Sequence, residues 1–256
     1  MSQRETWATR AGFILAAVGS AVGLGNIWQF PFKTSEYGGA TFLVVYLVAA
    51  VGIGLPAILA EFVIGRKSNR NAISAFERLG HRNWRWVGVL GVGIGFWILS
   101  YYSVVGGWVL RYIGGSLTGA YFADPAAYFG SVSAGLDALA LHAVFMFFVV
   151  AIVAGGVEDG IERATKLMVP SIVVILGVLA AWVVTLPGAG PGYGYFLSPD
   201  LSTLSLAVTF DPLPSFSGPL TEVIPFAVSQ AFFSLSLGMG AMITYASYVG
   251  EEQSLF

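Results

Sequence analysis

Apolar residues come in six long runs, at about 11–32, 38–64, 86–110, 138–157, 167–187 and 223–250, each with few or no charges. Each is near or above the roughly 20 residues a helix needs to cross a bilayer. Shorter stretches rich in polar residues, Gly or Pro separate them. The pattern predicts an all-α integral membrane chain with six spans. The first run is uncharged from Ala11 to Phe32. That is longer than the roughly 7–15 residues of a signal-peptide core, so it reads as a retained span.

Two runs are interrupted. The first contains Ser20-Ala21-Val22-Gly23-Leu24-Gly25-Asn26, with two glycines flanked by a hydroxyl and an amide. Glycine is a weak helix former, and in lipid every backbone N–H and C=O must find a partner. A break there frees carbonyls that suit a hard cation, and it exposes N–H groups that suit an anion. The alternative is that Gly19, Gly23 and Gly25 only allow a neighbouring helix to approach closely. The sixth run repeats the chemistry, with Ser234, Ser236, Gly238 and Gly240. The second copy comes five spans after the first, an odd number, so it crosses in the opposite sense. Paired broken helices in an inverted repeat, with the site where the breaks meet, are a transporter design. The reading is a single domain over 1–256, with a first repeat at about 8–187 and the start of a second at about 219–250.

Composition and charge sharpen this. The chain is 56% apolar and 10% charged, with a mean hydropathy of +0.78, against roughly 25% charged in soluble domains. It has no cysteine, which excludes disulfides and thiolate metal sites. Nothing points to a nucleic-acid partner. Of the 12 basic residues, only Lys33 and Arg111 fall at the outer ends of the runs if the N-terminus is cytoplasmic; the positive-inside rule therefore places it there, in a multi-pass protein of the cell membrane. The basic stretch 67–85, with Phe76 and Trp84, is either an interfacial helix on the inner leaflet or a solvated loop. The stretch 188–219 reads as an outer loop. Glu61 lies late in the second run. Its carboxylate either meets freed N–H groups of a broken helix or pairs with Arg66 near the interface. Tyr102 sits well inside the third run, where its hydroxyl needs a partner. His142 reads as a hydrogen-bonded core residue.

The segment WATRAGFILAAVGSAVGLGNIWQFPF (Trp7–Phe32) closely resembles the first helix of the neurotransmitter:sodium symporter family, and QAFFSLSLGMGAMITYASYV (Gln230–Val249) resembles its sixth. GLPAILAEFVIGR, SYYSVVGGW, GIERATKLMVP and YFLSPD agree more weakly. The resemblance implies a LeuT-like inverted-repeat fold and sodium-coupled symport, not an enzyme. It implies that the Ala21 carbonyl, Asn26 and Ser234 are ligands of a first sodium, and the Gly19 and Val22 carbonyls ligands of a second. It places the substrate carboxylate near the N–H groups of Leu24 and Gly25 and the Tyr102 hydroxyl, and the amino group at carbonyls of Ala21, Phe233 and Ser234. Ile98, Tyr102, Phe233, Ser236 and Met239 would line the side-chain pocket. Arg4, Trp7 and Tyr248 match the inner gate. Gly160 and Pro170 match a pair between which the fifth helix unwinds.

Monoamine carriers of the family have an aspartate where this chain has Gly23, so the expected substrate is a zwitterionic amino acid, apolar or aromatic. Gln29 occupies the position of the outer-gate arginine, where an amide makes only a neutral link. Met239 replaces a rigid aromatic with an adaptable side chain. The family has about twelve helices, so the sequence reads as an N-terminal half whose sodium sites need further helices or a second chain; chloride is left open. The runner-up is a six-helix membrane protein that does not transport and serves a binding or interaction role.

Overall fold

The computed structural model describes residues 6–204, 207–210, 214–217 and 219–250. Arg4, assigned above to the inner gate, lies outside the described residues. Helix α1 (Arg10–Ala21) starts at Thr9, whose side chain accepts from Gly12 N, a capping bond that satisfies one orphan N–H. It stops at Val22, and α2 (Leu24–Glu36) restarts at 48° to it. Helix α3 (Ala40–Ala49) continues through a π-helical turn, Ala50–Gly54, into α4 (Leu55–Ser68). Then come α5 (Ala72–Arg78), α6 (Arg85–Thr118), α7 (Pro125–Val132) and α8 (Gly135–Ala154). A π-helical stretch, Gly156–Glu162, leads into α9 (Arg163–Val184), followed by α10 (Ala189–Leu197). A short antiparallel ladder of β1 (Ala207–Phe210) and β2 (Pro214–Ser217) precedes α11 (Pro219–Ser234) and α12 (Ala241–Ala246).

Among the described residues, four helical segments are long and apolar enough to cross a membrane, or five if α1 and α2 count as one span. The sixth predicted run is split into helices of 16 and 6 residues, each short of a full crossing. Between them Ser236, Gly238 and Gly240 adopt φ of 53°, 77° and 71°. That left-handed conformation ends a helix, and it is uncommon for any residue other than glycine.

Packing explains how the breaks are held. At one end Trp7, Phe13, Ala16, Val157, Ala246 and Val249 form a buried cluster joining α1, the π-helical stretch and α12. At the other, Phe42, Val223 and Ala227 join α3 to α11, with Phe30 and Tyr37 of the α2 region against them. The basic stretch is not wholly a solvated loop, since it contains helix α5. Its helix α5 buries Ala72 and Ala75 against Ile243 and Ile64, so its apolar face is used inside the protein. The predicted outer loop also carries regular structure. It is pinned to the α2–α3 corner by Tyr195 Oη donating to Ser35 O (2.6 Å) and by Thr41 Oγ1 donating to Asp200 O (3.2 Å).

Candidate functional site

The two breaks meet. Ser236 Oγ donates to Ser20 O at 3.0 Å, and the Ser20 and Ser236 hydroxyls lie 2.9 Å apart. One turn outward, Ser234 Oγ donates to Asn26 Oδ1 at 2.9 Å, while Asn26 Nδ2 donates to Ala21 O. Gln230 Nε2 donates to both Asn26 Oδ1 (2.8 Å) and Ser234 Oγ (3.1 Å). The uncharged oxygens of Ala21, Asn26 and Ser234, at or beside the facing ends of α1, α2 and α11, are therefore linked through the Asn26 amide. This is a hard donor set of the kind that takes a monovalent cation in a broken-helix site. Among the described residues no donor reaches the carbonyls of Gly19 or Val22. Both residues border a cavity of about 280 Å3 beside Thr165 and Val169, which fits their proposed role as cation ligands.

Next to this oxygen set is a cradle of opposite polarity. Gly23 caps α2, leaving the first N–H groups of that helix without intrahelical partners. Gly25 N donates to Tyr102 Oη at 3.2 Å. A Cβ at Gly23 would lie 2.6 Å from that hydroxyl, so even the smallest side chain must displace it. The cradle faces a cavity of about 520 Å3 bordered by Ala21, Leu24, Ile98, Tyr102, Phe233, Ser236 and Met239. It also opens toward Met168, Ile172 and Phe145 of α8 and α9. A second cavity of about 320 Å3 lies outside it, bordered by Gly25, Gln29, Lys33 and Phe226. Tyr102 and Phe233 line both cavities, so their rings stand between them. Of the three carbonyls assigned to a substrate amino group, Phe233 O accepts from Ser236 N at 3.1 Å and Ala21 O from Asn26.

The remaining assigned residues fall around these cavities. Glu61 Oε1 accepts from Gly238 N at 2.8 Å, so its carboxylate engages the break before α12. Trp7 is only 2% exposed. Its backbone N donates to Tyr248 O (3.1 Å), and its indole donates to Tyr245 O (2.8 Å). This ties the N-terminal end of α1 to α12 and to the segment after it. Gly160 lies in the π-helical stretch, and a Cβ there would collide with Ile152 O. Pro170 sits within a continuous α9. The loosened turn is thus at Gly156–Glu162, where i→i+5 bonding is already less regular than an α-helix. Gln29 is exposed in the outer cavity. His142 Nδ1 is buried with no partner among the described residues, unlike the hydrogen-bonded side chain expected.

Sequence reasoning missed three participants. Gln230 lies one helical turn before Ser234, a spacing that marks it as a same-face neighbour. Ser20 stands within the motif itself. Glu162 is 1% exposed; it accepts from Ala8 N (2.8 Å) and Thr9 Oγ1 (2.8 Å) and pairs with Lys166 Nζ (2.7 Å). It ties the start of α1 to the π-helical stretch.

The profile of the sodium:neurotransmitter symporter family matches residues 4–124 and 129–256. An uncharacterized sodium-dependent transporter of Bacillus subtilis, YhdH, is 38% identical over 97% of this chain and 53% of its own length. One of Methanocaldococcus jannaschii is 38% identical over 99% of this chain and 51% of its own length. The bovine sodium- and chloride-dependent taurine transporter is 28% identical over 96% of this chain and 44% of its own length. The crystal structure of MhsT in complex with L-phenylalanine superposes with a TM-score of 0.82 at 44% identity, covering 98% of this chain and 55% of that one. The chain spans about half the length of the curated relatives it matches.

Proposed function

Since this chain belongs to the sodium:neurotransmitter symporter family, we propose that it forms the N-terminal part of a sodium-coupled carrier for an apolar or aromatic zwitterionic amino acid. The observation that carries the reading is the juxtaposition of the Ala21–Asn26–Ser234 oxygen set with the Gly25 N–H and Tyr102 hydroxyl. Cation and carboxylate sites that adjoin make each ligand stabilise the other. Sodium, as cargo, takes the oxygen set, with a second ion at the Gly19 and Val22 carbonyls. The α-carboxylate docks on the α2 N-terminus, whose dipole favours it. With no side chain at Gly23, that anionic charge comes from the substrate. The apolar lining at Ile98, Phe233 and Met239 suits an apolar or aromatic side chain; the relative crystallised with L-phenylalanine supports that class.

The chain is read as lying in the cell membrane with its N-terminus cytoplasmic, as one inverted-repeat domain continued by further helices. Alternation between outward and inward access uses Phe233 and Tyr102 as the outer partition and Trp7, Tyr245 and Tyr248 as the inner seal. The test is amino-acid binding by the full-length protein in proteoliposomes with sodium or choline outside. Apolar amino acids bind more tightly in sodium. Affinity unchanged in choline would end the proposal.

A further inference from the structure

Lys33 is a cation set among aromatic side chains near the end of α2. Among the described residues it is the single charged side chain bordering the outer cavity. It sits in the last turn of α2, where unpaired carbonyls favour a positive charge. Its ammonium lies 2.6 Å from Glu36 on the same helix, and its side chain is only 25% exposed. Three rings surround it, with centroids 5.7 Å away for Phe32, 5.5 Å for Tyr37 and 5.1 Å for Phe226. All are within cation–π range. Phe32 and Tyr37 belong to the α2 end, but Phe226 belongs to α11. Tyr37 also packs on Phe226, with centroids 4.7 Å apart.

We propose that Lys33, seated on Phe226, is a positioning residue that clips the outer halves of the two broken helices, α2 and α11, into one moving body. The two helices are pinned at two levels. The inner pin is polar: Asn26 with Gln230 and Ser234. The outer pin, about two turns from Asn26 on α2 and about one to two turns from Gln230 and Ser234 on α11, is Lys33 with Tyr37 on Phe226. A single pin leaves a pivot, whereas two fix relative rotation. The distinction matters because the inner pin uses the oxygens proposed to take sodium, so its hydrogen bonds are the ones an arriving ion rearranges. The outer pin then holds α11 in register with α2, keeping the Phe233 ring over Gly25, where a Cβ would lie 2.9 Å from it. Ion binding at Asn26 is thereby transmitted to the partition above the substrate. Gln29, one turn inward on the same cavity wall, has no charge with which to make such a contact.

The clip takes its functional meaning from the transport reading above, so the experiment separates the two. Spin labels are placed at Ser35→Cys and Glu222→Cys in the full-length protein, with any cysteines beyond Phe256 replaced. The label-to-label distance distribution is measured alongside the factor by which sodium raises amino-acid affinity. Lys33→Met keeps the apolar stem without the charge, Phe226→Leu removes the ring, and Lys33→Arg retains a cation. The first two changes broaden the distribution and cut the sodium factor by about threefold to tenfold. The double variant goes no further than either single one, and Lys33→Arg stays near the parent. A narrow, parent-like distribution in Lys33→Met overturns the clip, as does a double variant whose losses multiply. If the parent shows no sodium effect at all, the transport reading fails, and the label distances still decide the clip.

Discussion

Asn26 and Tyr102 stand one residue apart in their contacts, at Asn26 itself and at Gly25 N, yet they serve different ligands in the proposed cycle. Replacing Asn26 or Ser234 by Ala removes one oxygen of the proposed sodium site. By analogy with a charge-assisted hydrogen bond that costs about 1.5–3 kcal/mol, roughly tenfold to hundredfold in affinity. Isothermal titration with sodium alone should show the loss directly. Tyr102→Phe removes the hydroxyl at 3.2 Å from Gly25 N but no proposed sodium ligand. Substrate affinity in saturating sodium should fall about tenfold, while sodium binding without substrate holds. Equal losses of both ligands in all three variants would mean general damage rather than separate roles. Gly23→Ala tests the same hydroxyl from the opposite side. Its Cβ would sit 2.6 Å from Tyr102 Oη, so it should weaken amino-acid binding and leave sodium binding intact. The motif at 20–26 was legible because serine, glycine and asparagine are rare companions inside an apolar run. Glycine's two uses, unwinding and close approach, were not separable by sequence, and the structure has both: Gly23 caps α2 and also lies against Tyr102.

At the scale of elements, α1 is held at its N-terminal end by two independent attachments. One is the Trp7 seal onto Tyr245 and Tyr248. The other is Glu162, buried in the π-helical stretch and bonded to Ala8 N and Thr9. A buried carboxylate remains favourable only while its partners stay in place. Glu162→Gln keeps the shape but loses the charge that Lys166 and the α1 N-terminus complement. It should therefore loosen the start of α1. Amide hydrogen exchange over Trp7–Phe13 should rise about tenfold, with exchange in α6 unchanged. Unaltered exchange over Trp7–Phe13 would show that Trp7 alone holds the helix. This attachment could not be read from the sequence, because Glu162 and Ala8 are 154 positions apart and the burial of an acid depends on what packs over it. The π-helical turns were hidden for another reason. Their glycines, Gly52 and Gly54 in one and Gly156 and Gly160 in the other, suit close helix packing equally well, and the widened turn itself leaves no distinct compositional mark. The break before α12, by contrast, followed from two glycines that take positive φ.

For the molecule as a whole, the apolar runs disclosed the class and most helix positions, since lipid demands long uncharged segments. They did not disclose that α5 folds back onto Ile243, because a short amphipathic segment looks alike whether its apolar face meets lipid or protein. The meeting of the two breaks has a thermodynamic consequence that no single contact carries. If sodium raises amino-acid affinity by some factor, the amino acid must raise sodium affinity by the same factor, because both reflect one coupling free energy. Tyr102→Phe weakens a group that contacts the substrate side only, so it should lower the substrate's intrinsic affinity and leave that factor nearly intact. Asn26→Ala sits between the sites and should shrink the factor itself, equally in both directions. Titrating the full-length protein with each ligand at zero and saturating concentrations of the other gives both factors. Unequal factors in the parent would mean that a further ligand or state intervenes. A factor that shrinks in Tyr102→Phe but not in Asn26→Ala would place the coupling in the Tyr102 cradle rather than in the oxygen set between the breaks.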